Sequence, residues 1–538
     1  MFLQSCSHRM AGCLLMTALL LLGNDNGPLF LQCHALSSIT MPPMTTTGEH
    51  LPLARKAMDY FDRSSDPFLA VQTSIDLLKE AGFEQLDETG TTIEVTRGGK
   101  YYYTRNKSSL VAFTVGEKYQ AGHGGFKIIG GHTDSPNLRV KPRSKRSDKN
   151  AKSIQIGAEC YGGGLWHTWF DRDLGLSGRV FCRNRDGDVE SIDQRLIKID
   201  RAILRVPTLA IHLESAEERK AFKINKENHL SPILAQAAQK ALTGDNNDNS
   251  ENGDEGDVSS KKDNEDGWTE HQEPLLLKLL ASELDIPIED IVDFELSLFD
   301  IQKASLGGVH SEFVHSARLD NLASCFIAIQ ALVDCAQQDG ILENDKDISM
   351  VVLYDHEEIG STSAVGAASP ILGEAVKRIS SVLNAKEQAI APHDLYEATV
   401  RHSFVVSSDQ AHALHPNYAS KHEKNHQPQM NAGMVIKRNA NQRYATTGPT
   451  GILMREISRR SNLPPVQEFI VRQDCGCGST IGPLISSSTG IRAIDMGCPQ
   501  LSMHSIRETM GVCDLTNGLE LFKAFFIHFR EVDESIER

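Results

Sequence analysis

The chain reads as an α/β sheet covered by helices and interrupted by a β-rich insertion, on three observations. Apolar residues alternate between helical and strand spacing along much of the sequence, as they do in sheets flanked by helices. Between about residues 135 and 307 the alternation gives way to short β-rich runs that read as hairpins. The 538 residues are also too many for one compact core, which favours two domains or one domain with an insertion.

The elements follow in chain order. "AGCLLMTALLLLG" (residues 11–23) lies behind Arg9 and is too short an apolar run to span a bilayer comfortably. "CHA" (residues 33–35) resembles a small-residue cleavage site, so residues 1–50 read as a signal-type leader and a polar, disordered joint. "PFLAVQTSIDLLKEAGF" (residues 67–83) predicts a helix and "GFKIIGG" (residues 125–131) a strand. Inside the insertion, "LSGRVFCRNRDGDVESIDQRLIKID" (residues 176–200) and "RAILRVPTLAIHLE" (residues 201–214) read as hairpins. Residues 243–267 are polar and acidic without large apolar side chains, and read as a disordered surface loop. Then "LDNLASCFIAIQALVDCAQQ" (residues 319–338) predicts a helix, and "ISMVVLY", "HSFVVSS" and "GIRAIDMG" predict strands. The expected division is a leader at 1–50, an α/β domain at 51–134 and 308–538, and a β-rich domain at 135–307.

Composition narrows the function. A hydrophobic fraction of 40% and a charged fraction of 23% are those of a soluble globular protein. A net charge of −16 argues against nucleic acid or an anionic membrane as the main partner. No transmembrane helix is expected in the mature chain. Eleven cysteines without a pairing pattern read as free thiols, and "DCGCG" (residues 474–478) as a tight glycine turn. "YGGGLW" (residues 161–166) lacks the lysine and serine of a P-loop and the spacing of a dinucleotide fingerprint. Free thiols and a single sequon at Asn106 speak against secretion while the leader speaks for it. The compartment therefore stays open between cytoplasm and a secretory, vacuolar or plastid destination.

"VVLYDHEEIGS" (residues 351–361) ends an apolar run in Asp355, Glu357 and Glu358, with His356 among them. Carboxylates are costly to bury unless something cationic meets them. Other predicted strands end in the same way. "FKIIGGHTDSP" ends in His132 and Asp134, "HSARLDN" opens a helix with Asp320, "FVVSSDQAHALHP" carries Asp409 just past a strand, and "IDMGCPQLSMHS" carries His504. Ligands of open α/β sheets bind beyond the carboxyl ends of the strands. A mixture of imidazoles and carboxylates converging there suits a pair of divalent ions with one bridging carboxylate.

"GGHTDSP", "YGGGLWHTWFDRDLGLSGRV", "ARLDN", "YDHEEIGS", "SSDQAHALHPNY", "KHEKNHQP" and "QLSMHSIRE" together resemble the aspartyl aminopeptidase family of dinuclear zinc metallopeptidases, from about Pro52 to Arg530. The resemblance implies a mixed-sheet, three-layer metallopeptidase domain interrupted by a β-rich dimerisation domain. It implies removal of N-terminal Asp or Glu from peptides with two Zn2+ per subunit, or other divalent ions. It also implies a homo-oligomer built from dimers, a dodecamer in the family. Carried over by position, it implies that His132, Asp320, Glu358, Asp409 and His504 hold the metals, that Asp320 bridges them, and that Glu357 is the general base. Adjacent side chains of an extended segment point different ways, which would separate the roles of Glu357 and Glu358.

Asp134 fits a carboxylate that orients His132, or an ordinary turn cap. Lys437 in "GMVIKRNANQRY" resembles the family lysine that meets the acidic substrate side chain; a lone lysine after a strand is otherwise an edge residue. His212 in "LAIHLE" reads as a core or sheet-face histidine, whereas the resemblance has it reaching a neighbouring subunit's site. His412 and His415 read as pocket or structural residues. Two alternatives keep the metal ligands, a dinuclear deacylase and an aminopeptidase for neutral residues. A catalytically idle shell protein is excluded because neither a ligand nor Glu357 is lost.

Overall fold

The computed structural model describes residues 47–146, 152–185, 190–236, 267–387 and 390–537. The leader and joint up to residue 46 and the acidic stretch at 243–266 lie outside the described residues. Thr47–Glu49 already form a 3-10 turn.

A nine-stranded mixed sheet carries the α/β part. Its centre is a run of neighbouring parallel strands in the order Ile348–Tyr354, Phe126–His132, Phe404–Ser408 and Arg492–Gly497. Antiparallel strands flank this run, Ser109–Val115 on one side and Val435–Lys437 on the other. The first three of these parallel strands are buried along their whole length, as parallel strands covered on both faces must be. That is why they appear in the sequence as runs rich in apolar residues, interrupted only by Lys127, Ser349, Ser407 and Ser408.

Alternate residues along each strand face opposite sides, and they feed two cores. Ile129, Val351, Leu353, Val406 and Ile494 pack with the helices Leu51–Arg63, Pro67–Glu80, Leu319–Gln337 and Val512–Ser535. Ile128, Met350, Val352, Val405 and Ala493 pack with Ile371–Glu387, Pro392–Arg401 and Ile481–Thr489. The result is three layers. Among the described residues one helix, Leu319–Gln337, is long and apolar enough to cross a membrane, and 89% of its most apolar window is buried inside the protein. The predicted helix at 67–83 spans Pro67–Glu80. Asp66 caps it by accepting the N–H groups of Phe68 and Leu69 at 2.9 and 3.0 Å.

A second, six-stranded sheet lies between Asn137 and Asp300. All its pairings are antiparallel, and Leu176, Val180, Ile197, Leu277 and Leu298 belong to its core. Of the two hairpins read there, the first forms, Leu174–Asn184 against Ser191–Leu204. The second does not. The strand continues through Leu204 and stops short of Pro207, which has no N–H to donate to a ladder, and His212 lies on a 3-10 turn, Ile211–Leu213. Every described cysteine is free.

Candidate active site

The register of the parallel strands brings their carboxyl ends level, with Tyr354 beside His132, Ser407 beside Gly130 and Ser408 beside Met496. The residues just beyond converge. His132 Nε2 lies 3.4 Å from Asp320 Oδ1, 3.5 Å from Asp409 Oδ1 and 4.0 Å from Glu357 Oε2. His504 Nε2 lies 3.5 Å from Glu358 Oε2 and 3.8 Å from Asp320 Oδ2. Among the described residues potential ligand atoms form three triads, each within 4.8 Å: His132, Asp320 and Asp409; His132, Glu357 and Glu358; and Asp320, Glu358 and His504. Asp320 belongs to the first and the third, with Oδ1 toward His132 and Oδ2 toward His504. Its Oδ1 is buried without a well-formed hydrogen bond, an arrangement that costs free energy unless a cation meets the oxygen. The donor set fits a pair of divalent ions.

The two adjacent glutamates differ in the histidine they approach, Glu357 lying near His132 and Glu358 near His504, but not for the reason expected. The strand ends at Tyr354, His356 takes a left-handed conformation at φ 65°, and Glu357–Ile359 form a 3-10 turn rather than an extended segment. Asp134 holds that turn: its carboxylate accepts the N–H of Glu357 at 3.0 Å and of Glu358 at 3.1 Å, and the Tyr161 hydroxyl at 2.7 Å. His132 Nδ1 contacts the Asp134 carbonyl at 3.1 Å. Asp134 Oδ1 also lies 3.5 Å from the same Nδ1, so Asp134 meets the imidazole through backbone and side chain and the glutamates through its side chain.

Other holding groups were invisible in the sequence because they work through backbone atoms. Glu508 accepts the N–H of His504 at 2.7 Å with one oxygen and that of Asp320 at 3.0 Å with the other. The glycine run at 162–164 clamps His504 from the other side. The Gly163 carbonyl meets His504 Nδ1 at 3.1 Å, and the Leu165 N–H donates to the His504 carbonyl at 2.9 Å. The only signals were that Glu508 and these glycines fall inside the motifs quoted above. Arg318, His356 and His504 all have positive φ, and such conformations persist where surroundings enforce them. Gly497 is required by a close approach, since a Cβ there would meet the Asp409 carbonyl at 1.9 Å.

The electrostatics are those of crowded acids. Burial, with Asp409, Asp134 and Asp320 adding to it, pushes Glu357 up to about 8. Burial and Asp320 raise Glu358 well above the usual range. Burial and Asp409 raise Asp320. Burial also works against the Asp409 carboxylate, but Lys437 and His132 outweigh it and hold that group well below its ordinary value. Such displacements in one cleft mark a functional site.

A cavity of about 590 Å³ opens onto the cluster, lined among others by Lys437, His412, Tyr444, Thr480 and Met503. Lys437 is buried, with Nζ 3.0 Å from Asp409 Oδ2 and 2.9 Å from the Gln410 carbonyl. His412 lines the cavity, whereas His415 belongs to a turn in which its N–H donates to His422 Nε2 at 3.1 Å. His212 is not among the lining residues of this chain's cavity; it is exposed.

Residues 60–526 match the family model for aminopeptidase I zinc metalloproteases, M18. The chain is 43% identical to a probable aspartyl aminopeptidase of Ricinus communis over 92% of its own length and 99% of the relative's. It is 44% identical to the aspartyl aminopeptidase of Aspergillus oryzae over 90% and 98%. Its fold is similar to Ape4 in a complex with Nbr1, at a TM-score of 0.81 and 40% identity over 91% of this chain and 88% of that one. It is also similar to the mApe1 dodecamer of S. cerevisiae, at a TM-score of 0.74 and 28% identity over 90% and 99%.

Proposed function

The chain belongs to the aminopeptidase I zinc metalloprotease (M18) family, and we propose that it works through two zinc ions held by the strand-end cluster. It is a metal-dependent aminopeptidase that removes N-terminal aspartate and glutamate from peptides, the activity in the names of relatives at 43% and 44% identity. The observation that carries the dinuclear reading is Asp320, which turns Oδ1 toward His132 and Oδ2 toward His504. His132 and Asp409 would complete one ion's protein ligands, and Glu358 and His504 the other's. Zinc at these positions supplies a Lewis acid for the scissile carbonyl and a water of lowered pKa.

The chain's own residues do the rest. Glu357, held by Asp134 through its backbone, takes the proton of the attacking water as general base and returns it to the leaving amine. Lys437 engages Asp409 and Gln410, and its remaining N–H donor serves the carboxylate of the substrate's first side chain.

We assign residues 135–307 to subunit pairing and His212 to a neighbouring subunit's site. Leu209, Ile211 and Leu213 beside His212 are 53%, 62% and 72% exposed, an apolar patch of the kind that interfaces cover. A similar fold assembles as a dodecamer, the assembly proposed here. The test is turnover of aspartyl against leucyl para-nitroanilide before chelation, after it, and after zinc is returned. Aspartyl preference, lost on chelation and restored with two zinc ions per subunit, is the expected result; full activity of the chelated protein would end the metal reading.

A further inference from the structure

A second cavity, of about 690 Å³, adjoins the catalytic one. Ser479 lines both. Tyr444 of the first and Cys477 of the second are joined at the partition, the hydroxyl and Sγ lying 3.5 Å apart. The second lining contains three guanidinium groups, Arg438, Arg443 and Arg472, and among the described residues no carboxylate. Arg438 pairs with Glu468 at 3.2 Å, but Glu468 also holds Arg455 at 2.6 Å, so that group keeps an excess positive charge. Arg472 is matched by Asp474 at 2.6 Å. The Arg443 side chain is exposed and has no ion-pair partner among the described residues. In a chain of net charge −16 this is a local inversion of sign.

Together these observations point to an anion subsite, and we propose that it receives a carboxylate of the peptide substrate beyond its first residue. The proposal rests on the aminopeptidase reading. The first residue occupies the catalytic cavity, so the rest of the peptide must leave over its rim, and the rim at Ser479 is shared with the arginine-lined cavity. A guanidinium fork matches a carboxylate bidentately, and side-chain amides of Asn439, Asn441 and Gln442 offer further donors. A substrate whose acidic residues continue past the first would then be held at two points, the second supplied by Arg443.

The experiment compares kcat/KM of the assembled full chain on three substrates: aspartyl para-nitroanilide, Asp-Ala-Ala-Ala and Asp-Ala-Glu-Glu. The wild type should favour the acidic peptide over the neutral one. Arg443→Ala should reduce that preference by roughly fivefold, as for an ion pair at a partly solvated rim, with Arg443→Lys intermediate and the nitroanilide rate within about twofold of wild type. Three results overturn the proposal: no acidic preference in the wild type, an equal loss on all three substrates, or a changed assembly size, which would make the cavity a contact between copies. A wild type inert toward aspartyl para-nitroanilide would refute the aminopeptidase reading itself, and this subsite with it.

Discussion

Lys437 and Asp409 form a partly buried ion pair, Nζ to Oδ2 at 3.0 Å. The lysine expected to meet the substrate therefore also keeps a candidate metal ligand ionised, which links specificity to metal affinity. Lys437→Met should cut kcat/KM on aspartyl substrates by roughly 2 to 4 kcal/mol and weaken zinc binding by roughly tenfold or more. Leucyl substrates should lose only the part due to zinc. Equal losses on both substrates would confine Lys437 to the metal, and unchanged zinc affinity would confine it to the substrate.

Glu357→Gln keeps the shape of the side chain but cannot accept the water's proton. Turnover should fall by roughly 10²- to 10⁴-fold while zinc content measured by atomic emission stays near two per subunit. Asp320→Ala should lose metal and activity together. Wild-type turnover in Glu357→Gln would remove that residue as the base.

Glu508→Gln tests a residue that touches neither substrate nor metal. One amide oxygen cannot replace two carboxylate oxygens, so the N–H of Asp320 or of His504 loses its acceptor. Zinc affinity should weaken by roughly 10- to 100-fold, and saturating zinc should restore most of kcat. An unchanged zinc titration would reduce Glu508 to a packing role.

His212→Phe should lower kcat without changing zinc content or assembly size. Co-assembling it with Glu357→Gln after dissociation should restore activity, because some sites would join an intact Glu357 to a neighbour's intact His212. Mixed oligomers that stay inactive would return His212 to its own subunit.

Asp514 supplies a pH test away from the metal cluster. Burial pushes its carboxyl from 3.8 to about 7, although it accepts the N–H groups of Asn431 at 2.6 Å and Gly433 at 2.9 Å. The folded state therefore holds a proton that the unfolded state releases, and the stability this gives below about pH 4 is lost as pH rises through 7. Over that window the loss approaches about 4 kcal/mol. Melting temperatures at pH 5 to 8 should fall less steeply in Asp514→Asn than in wild type, and parallel slopes would contradict the assignment.

The convergence of His132, Asp409 and the Glu357–Glu358 pair was legible because each follows a buried strand rich in apolar residues, a pattern that burial on both faces favours. The route from Tyr354 to Glu357 was not, since a left-handed His356 and a 3-10 turn look the same in sequence as an extended continuation. Glu508 and Gly163 act on backbone groups, which no residue type announces. The hairpin expected at 201–214 does not form because Pro207, which has no N–H, cannot donate to a ladder there.

The interleaved order of the parallel strands, 348–354 beside 126–132 beside 404–408 beside 492–497, also has a kinetic meaning. Every neighbour in that run is distant in sequence, so the central sheet has high contact order and closes late. During synthesis His132 emerges long before His504, and the chain must keep its acidic strand ends apart until its last part is released. A chain truncated before residue 504 would lack His504 and the helix Val512–Ser535 that packs on the sheet, and with them one side of the proposed metal site.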